Sequence, residues 1–288
     1  MRFAFLTCAR FPQLWDDDQL AANEVRRRGH HVEPVIWNAP GVLAHLDTFD
    51  AVVVRNPWDW FNHREAFRAF LNSLSSCRAR VVNDAATLQA FADKTYLTKL
   101  EARGVAVVPT VELAPSELKT ALASTLAAKN WKRAVLKPAF TANAIGAQVF
   151  DAGTELDATL AAAASVPLAT GEKWLVQPFI PSIAEGERSF IFFGGVFSHA
   201  VKKIPKAGDW RVQHDYGGTS TSFTPERSAI EQATQLLALA APGTAYARVD
   251  AVDIGGKLHL MELEVVEPEL FFRHEPKSVE RFADQLTR

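Results

Sequence analysis

Short apolar runs of strand length alternate with helical stretches through the first third of the chain. Phe3–Leu6, His31–Ile36 and Ala51–Val54 are such runs, and the last is apolar throughout, as in a strand covered on both faces. A helical stretch runs from about Asp16 to Arg28 and ends at Gly29, because glycine adopts the left-handed C-terminal cap at least cost. This alternation predicts a small doubly wound α/β domain over residues 1-84.

A second unit is expected over residues 85-182, since a chain of 288 residues is long enough for two or three domains. It begins with a helix that carries Lys94 and continues with a strand near Val105–Val108. A further strand, Ala134–Leu136, ends in Lys137 and Pro138, and the alanine-rich stretch Leu156–Ala164 reads as a helix.

The third unit, residues 183-288, is dominated by two predicted β-hairpins. Each joins two strand-like runs across a glycine pair, Gly194-Gly195 or Gly255-Gly256, which suits a two-residue hairpin turn. Between the hairpins a helix is predicted to begin at Thr224-Pro225, with threonine as the N-cap and proline in the first turn. The whole chain is therefore expected to be an α/β protein of three units.

Charge and cysteine content exclude several classes of protein. Lys plus Arg total 31 and Asp plus Glu total 33, so the chain lacks the basic excess of a general nucleic-acid binder. The two cysteines, Cys8 and Cys77, fit neither a disulfide scaffold nor a zinc ribbon, which favours a reducing compartment. No apolar run approaches the roughly 18 residues of a membrane span. We therefore expect a cytoplasmic protein without nucleic-acid or membrane partners.

Acidic side chains alternate along the second hairpin. Glu262 and Glu264 share one face of their strand, and Arg248 and Asp250 fall in the same phase on the preceding strand. Facing carboxylates repel one another unless a cation lies between them, and a hard divalent ion with oxygen ligands meets that need. The alternative is an ordinary solvated sheet face.

Two lysines lie in positions suited to binding phosphate. Lys94 is on its predicted helix, and Lys137 ends a buried strand whose apolar neighbours fix the height of its ammonium group. The small-residue loop 138–147 that follows could fold over a triphosphate, although each lysine alone could equally be a surface residue. Neither a Walker loop nor a GxGxxG motif occurs, which argues against P-loop enzymes and Rossmann dehydrogenases.

These blocks, in this order, resemble the ATP-grasp superfamily over essentially the whole chain, in the branch of ribosomal-protein glutamate ligase and glutathione synthetase. The resemblance implies a pre-ATP-grasp domain followed by two α+β subdomains that clamp ATP. It assigns roles to the following residues: Lys94 and Lys137 to the nucleotide phosphates; Gln177, Phe179 and Ile180 to adenine; Glu187, or its competitor Glu185, to the ribose; Arg211 and Arg248 to the transferring phosphoryl group; and Asp250, Glu262 and Glu264 to the metal. Glu264 stands where the family has asparagine, which keeps an oxygen ligand and adds negative charge.

Two shorter segments resemble a subgroup, the O-ureido-D-serine cyclo-ligases of D-cycloserine biosynthesis and their relatives. They are residues 54–60 with Arg64, and residues 267–271. Weaker substrate-binding candidates are Arg55, Asp59, Gln213, His214, Gly217 and Gly218. Arg55 follows its strand at the end where open α/β sheets bind ligands, and there it could clamp a substrate carboxylate.

The resemblance implies a ligase that activates a small amino-acid-like carboxylate as an acyl phosphate and couples it to an amine of the same or another molecule. ATP would be converted to ADP and phosphate with Mg²⁺, as two ions, or with Mn²⁺. A phosphotransferase without ligation and a non-catalytic ATP-binding regulator are the alternatives of the same fold. The sequence leaves a homodimer open.

Overall fold

In the N-terminal part of the computed structural model, which describes residues 1–169 and 171–288, a parallel sheet is covered by helices on both faces. The sheet has the order β2-β1-β3-β4, with β1 Arg2–Thr7, β2 His31–Ile36, β3 Ala51–Asn56 and β4 Arg80–Val82; the helices are α1 Asp16–Arg27, α2 Val42–Leu46 and α3 Arg64–Ser73. Alternate β1 residues point in opposite directions, so that Phe3 and Phe5 pack towards α1 while Ala4 and Leu6 pack towards α3. The predicted doubly wound layer is confirmed.

A second, antiparallel sheet lies in the middle of the chain. Its order is β5-β8-β6-β7, with β5 Val111–Leu113, β6 Arg133–Pro138, β7 Gln148–Asp151 and β8 Trp174–Pro178; helices α6 Leu118–Lys129 and α7 Leu156–Ala164 accompany it. Leu122 and Leu126 of α6 join Leu136 and Trp174 in one apolar cluster that covers one face of the sheet. The alanine-rich helix occupies the predicted residues.

The third sheet is antiparallel and contains both predicted hairpins. Its order is β11-β10-β9-β12-β13, with β9 Glu187–Phe193, β10 Val196–Ile204, β11 Thr219–Ser222, β12 Tyr246–Ile254 and β13 Lys257–Glu264; the remaining helices are α4 Ala85–Ala92, α5 Tyr96–Ala102, α8 Arg227–Ala240 and α9 Ser278–Leu286. All four turn glycines have positive φ, which confirms the hairpin turns. Among the described residues, no helix is long and apolar enough to cross a membrane.

The two faces of the third sheet have different partners. Odd-numbered β12 residues such as Val249 pack with helices α5 and α8, whereas Tyr246 packs with α9 and the N-terminal sheet. Arg248 and Asp250 continue the Tyr246 face along β12 beyond this packed region. The face that carries the predicted acidic cluster is therefore turned away from the helical layer of its own sheet.

Three local predictions were wrong. The helix predicted from Thr224-Pro225 begins at Arg227 with Glu226 as its N-cap residue. Lys94 lies in the turn between α4 and α5 rather than on a helix, because α4 ends at Ala92 and α5 begins only at Tyr96. The strand expected at Val105–Val108 is reduced to one β-bridge, between Val107 and Leu260.

The division at residues 84 and 182 stays a prediction. The three sheets occupy residues 2–82, 111–178 and 187–264. Leu97 and Leu100, which lie before the second sheet in the chain, are packed in the apolar core of the third sheet. The chain segment around α5 therefore belongs by packing with the C-terminal residues.

Asn83 ties the end of the N-terminal sheet to the third sheet. Its amide nitrogen donates to the carbonyl oxygens of Tyr246 and Val265, each at 2.8 Å, and its amide oxygen accepts from the backbone N–H of Ala245 at 2.7 Å. The side chain is buried and the backbone is left-handed, with φ of 57°, a conformation that asparagine tolerates better than most residues. One amide thus satisfies three buried backbone groups of another sheet.

We expect Asn83→Ala to lower the free energy of unfolding by about 2–4 kcal/mol, because it leaves buried donors and acceptors without partners. Urea denaturation followed by circular dichroism measures the change. Asn72→Ala, at an exposed position on α3, is the control and should shift the stability by no more than about 0.5 kcal/mol. Equal midpoints for the two variants would contradict the role of Asn83.

Candidate active site

A cavity of about 540 Å³ lies where the three sheets meet. Most of the residues singled out from the sequence line it: Lys94, Lys137, Gln177, Phe179, Ile180, Glu187, Arg211, Gln213, His214, Gly218, Arg248, Asp250, Glu262 and Glu264. The lining omits four others, namely Arg55, Asp59, Glu185 and Gly217. The fold therefore brings together residues that are up to 170 positions apart in the chain.

The acidic residues of the second hairpin face one another as the alternation predicts. In the β12–β13 register Arg248 is opposite Glu264 and Asp250 is opposite Glu262. Arg248 donates to Asp250 at 2.8 Å and also forms an ion pair with Glu264. A buried guanidinium thus separates two carboxylates that would otherwise repel each other.

Lys203 extends this network onto β10. Its ammonium group lies 3.0 Å from Asp250 and also pairs with Glu187, which is opposite Lys203 in the β9–β10 register. Burial raises the pKa of Asp250, but Arg248 and Lys203 outweigh that effect and hold the pKa well below its usual range. We did not single out Lys203 from the sequence; the strand alternation that pairs it with Glu187 was the available signal.

The two predicted phosphate lysines lie at the same end of the cavity but have different surroundings. Lys94 lies 3.0 Å from Glu262 and donates to the carbonyl oxygen of Thr141. Burial lowers the pKa of Lys94, but Glu262, together with Glu264 and Glu267, outweighs that effect and raises the pKa. The pKa of Lys137 is lowered, because burial disfavours its charged form and Lys94 repels it, only partly offset by Glu262. An anionic ligand between the two ammonium groups would favour the charged form of Lys137.

The carboxylates fit a hard divalent cation in their chemistry. Burial raises the pKa of Glu264 well above its usual value; Arg248 lowers it, while Glu262 and Asp250 raise it further. A cation among these oxygens would stabilise their ionised forms. In the described ranges 1–169 and 171–288, no three His, Cys, Asp or Glu side chains form a ready-made metal cluster. The oxygens instead contact lysine and arginine, so a metal would have to share them with these cations and take further ligands from a phosphate.

An apolar slot lies at the end of β8, where the chain passes from the second sheet to the third. Phe179 and Ile180 pack there with Val108, Ile183 and Met261. At the edge of the slot, the amide nitrogen of Gln177 donates to the hydroxyl of Thr110 at 2.9 Å. A slot with apolar walls and a polar side chain at one edge suits a planar heterocycle.

The two residues predicted as alternatives for binding ribose, Glu187 and Glu185, lie in different surroundings. Glu187 is buried and lines the cavity, whereas Glu185 is exposed outside it. Burial raises the pKa of Glu187, with Lys203 acting in the opposite direction. Of the two, Glu187 is the one that can contact a ligand in the cavity.

Two loops meet over the cavity. The alanine-rich loop contains Asn143 and Ala144, both with positive φ, and Asn143 donates to Asp215 of the opposite loop at 2.7 Å. On that opposite loop, Arg211 is held by Asp209 at 2.7 Å and stacks on Tyr216. A Cβ atom on Gly218 would lie 2.2 Å from the carbonyl oxygen of Val212, so this close loop packing requires glycine.

The N-terminal candidates Arg55 and Asp59 do not reach the cavity, which corrects their interpretation as substrate-binding residues. Arg55 is fully buried, forms an ion pair with Asp18 at 2.6 Å and donates to the carbonyl oxygen of Pro268 at 2.8 Å. Asp59 accepts from the indole of Trp37 at 2.7 Å. Gly217 lies in a turn behind Gly218, with φ of 81°. The buried guanidinium of Arg55 needs such partners, because burial of an ionised group without them is costly.

Glu267 lines the cavity, although no role was predicted for it individually. Its carboxyl group accepts from the indole nitrogen of Trp60 at 2.8 Å. Burial raises its pKa to about 7, although the hydrogen bond from Trp60 and the charge of Lys94 lower it. Its position in the segment 267–271, which resembles the cyclo-ligase subgroup, was the sequence signal that could have pointed to Glu267.

Comparison with known proteins identifies related chains for both halves of the molecule. A model described as the N-terminal domain of D-cycloserine synthetase DcsG matches residues 3–83, and one described as the ATP-grasp domain of prokaryotic glutathione synthetase matches residues 108–273. The cycloserine biosynthesis protein DcsG of Streptomyces lavendulae is 30% identical over 255 residues, which cover 83% of this chain and 82% of that protein.

Solved structures give the same relationship. A crystal structure of D-cycloserine synthetase DcsG superposes with a TM-score of 0.88 and 26% identity, covering 99% of this chain and 98% of the other. D-alanine–D-alanine ligase from Bacillus anthracis has a TM-score of 0.70 at 14% identity, covering 100% of this chain and 95% of the other. At this low identity, the similarity to D-alanine–D-alanine ligase shows only that the two proteins share a fold.

We expect Glu267→Gln to raise the thermal midpoint of the ligand-free protein at pH 8. The carboxyl group has a pKa of about 7 in the folded protein and a lower one when unfolded, so its ionisation disfavours folding above pH 7. The gain in the thermal midpoint should shrink as the pH falls from 7 towards the pKa of the unfolded chain, because Glu267 then becomes protonated in the unfolded chain as well as in the folded protein.

Differential scanning fluorimetry at pH 8, 6 and 5 measures this dependence. Glu101→Gln, at an exposed position on α5, is the control and should show no such trend. A gain for Glu267→Gln that stays constant over this range would contradict the raised pKa.

Proposed function

The chain belongs to the ATP-grasp ligases, in the family of prokaryotic glutathione synthetase, and we propose that it joins a small amino-acid-like carboxylate to an amine. Members of this family form carbon–nitrogen bonds, and their reaction is driven by ATP.

The observation that carries the proposal is the position of one charged cluster beside one apolar slot. The slot at Phe179 and Ile180 holds the adenine, and Gln177 contributes a polar edge to it. Lys94 and Lys137 then neutralise the phosphates of the same nucleotide. The unfavourable charge of the buried Lys137 is relieved when a triphosphate binds.

The reaction proceeds in two substitutions. A carboxylate oxygen of the substrate attacks the γ-phosphorus of ATP, the bond from that phosphorus to the ADP oxygen breaks, and an acyl phosphate forms. The amine then attacks the acyl carbon, the carbon–oxygen bond to phosphate breaks, and the amine loses a proton. Positioning and neutralisation of charge contribute most of the rate in such transfers.

Arg211 and Arg248 stabilise the charge that develops in these steps. Both line the cavity, Arg211 from the loop over it and Arg248 from the sheet. Their guanidinium groups are held by Asp209 and by Asp250, so they are oriented before the substrate arrives. One preorganised donor of this kind contributes roughly 3 kcal/mol to stabilisation of the transition state.

Asp250, Glu262 and Glu264 would hold magnesium, as two ions in the family pattern, with manganese as a substitute. Bound magnesium would supply charge neutralisation at the β- and γ-phosphates. Within the protein, Lys203 and Arg248 keep Asp250 ionised and therefore ready to accept a cation.

Release of ADP should depend on magnesium and should be stimulated by a small carboxylate with an amino group. A coupled assay with a panel of amino acids, free amines and molecules that carry both groups tests this, because the related DcsG is described as a D-cycloserine synthetase. Mass spectrometry should detect a condensed product. ADP release without condensation would favour a phosphotransferase, and binding of ATP without turnover would favour a regulator.

Glu262→Gln should lower kcat by about 100-fold or more while the protein remains folded, because it removes a charged oxygen from the cluster at the phosphates. Steady-state ADP release with each stimulating acid measures the effect. Glu231→Gln, on the exposed side of α8, is the control and should retain the original rate. Unchanged turnover in Glu262→Gln would refute the metal assignment.

A further inference from the structure

The segment after β13, residues 267–273, has no strand partner, yet its backbone is held in place at almost every position. Four consecutive carbonyl oxygens accept hydrogen bonds from side chains of other elements. The four pairs are Trp58 to Glu267 at 3.0 Å, Arg55 to Pro268 at 2.8 Å, Arg248 to Glu269 at 3.0 Å, and His199 to Leu270 at 3.0 Å. Donors from the N-terminal domain and from the third sheet thus fix one short stretch of chain.

The end of the segment is fixed as well. The buried carboxylate of Asp17 accepts the backbone N–H groups of Phe272 and Arg273 at 2.8 and 2.7 Å. Phe271 between these contacts and Leu270 has φ of 53°, an unfavourable conformation for a bulky residue. Such strain persists where the surroundings over-determine the backbone, and it occurs preferentially at ligand sites.

This fixed backbone presents an acidic and a basic side chain to the cavity. Glu269 and Arg273 both line it, and Arg273 Nη1 donates to Glu269 Oε1 at 2.5 Å. The exposed fractions of the two side chains are 28% and 41%, so a ligand can reach both. Arg273 also lies 3.2 Å from Ser220 and 3.5 Å from Asp17, which hold it on its side of the pair.

The Glu269 carboxylate is close to two arginines: Arg273 donates to it, and its charge is among those that raise the pKa of Arg248. Arg248, which we place at the transferring phosphoryl group, donates to the backbone of Glu269 and lies 5.6 Å from the centre of the Phe271 ring. Arg273 lies 5.2 Å from the same ring centre. A substrate carboxylate next to Arg248 therefore has the Glu269 carboxylate as a neighbour.

The closeness of Arg248 to the Glu269 carboxylate suits an amino acid as the substrate. The ammonium group of an α- or β-amino acid is only one or two bonds beyond the carbon that bears its carboxylate, so it falls beside Glu269 when the carboxylate is at Arg248. Arg273 occupies one carboxylate oxygen of Glu269 and leaves the second for another donor. Glu267, another acidic residue of the cavity lining, has its carboxyl group turned to the indole of Trp60.

An aromatic wall limits the size of the substrate at this end. Phe11, Trp15 and Trp58 line the cavity and pack against one another, with ring centres 5.1, 5.9 and 6.1 Å apart. The indole nitrogen of Trp58 donates a hydrogen bond to the backbone carbonyl oxygen of Glu267, which fixes the wall relative to residues 267–273. A group attached to the substrate nitrogen would meet these rings.

We propose that Glu269 is a specificity-determining residue that binds the free ammonium group of the carboxylate substrate, and that Arg273 is the positioning residue that orients Glu269. This inference rests on the proposed function, and it narrows the substrate to small amino acids with an unblocked amino group. An acid without an amino group forms no charge-assisted hydrogen bond with Glu269. An N-acylated amino acid also lacks that bond, and its acyl group would collide with the aromatic wall.

The first test needs no variant. In the wild-type protein, each amino acid that stimulates ADP release is compared with its deamino and N-acetyl analogues. We expect KM for both analogues to be about tenfold or more above that of the amino acid, the usual effect of losing a charged hydrogen bond. Equal KM values for the amino acid and its deamino analogue would overturn the inference and leave the ligase proposal intact.

The second test assigns the residue. Glu269→Gln should raise KM for the amino acid by about tenfold, leave KM for ATP within about twofold, and abolish the preference over the deamino analogue. Glu269→Asp keeps the charge and should keep the preference, which guards against a variant that folds poorly. Arg273→Gln should raise KM for the amino acid. Arg273→Lys, which keeps the positive charge, should raise KM less than Arg273→Gln does.

The chain offers a matched control in Glu275 and Arg281. They form an exposed ion pair at 3.5 Å on the same C-terminal stretch, with 38% and 42% exposed side chains. Glu275→Gln should leave every KM unchanged. If Glu269→Gln behaves like Glu275→Gln, or if Glu267→Gln is the variant that loses the preference, Glu269 is not the ammonium site. If no amino acid stimulates wild-type ADP release, both the proposed function and this inference are wrong.

Discussion

The buried guanidinium of Arg248 is the contact on which the rest of the site depends. The β12–β13 hairpin places Asp250, Glu262 and Glu264 close together on one face, and such a face would be unstable without a cation. Arg248 bonds to two of these carboxylates and to the backbone of Glu269. It thereby connects the proposed metal site to the segment that borders the substrate, and it can hold the carboxylates in place before a nucleotide binds.

The N-terminal domain contributes to the site through its backbone contacts more than through its charges. Arg55 and Asp18 form an ion pair inside the molecule, and Arg55 reaches across to Pro268. Removal of one partner from such a buried pair leaves an uncompensated charge and is strongly destabilising. The pair therefore holds the domain against the segment at 267–273, which Trp58 and Asp17 hold from the same side.

Much of the fold could be predicted because the signals are local. The glycine pairs at Gly194 and Gly255 specify hairpin turns through their positive φ, and the alternation of Arg248, Asp250, Glu262 and Glu264 fixes which face they share. The start of α8 was predicted two residues too early, because a favourable Thr-Pro pair is only one of several possible beginnings. The position of Lys94 in a turn was missed for a similar reason: the helical pattern of α4 and α5 continues across the break.

The sequence by itself determined the periodicity of the strands, the turns, the shared face of the acidic residues and the resemblance to ATP-dependent ligases. The tertiary structure decided which charged groups reach the cavity. Arg55 ends a strand as a ligand-binding residue would, but Asp18, distant in sequence, buries it in an ion pair. Glu269 and Arg273 are ordinary charged residues in the sequence, and contacts from β12 and α1 bring their segment beside Arg248. Local propensity acts over a few residues, whereas burial and ion pairing are settled by residues far apart in the chain.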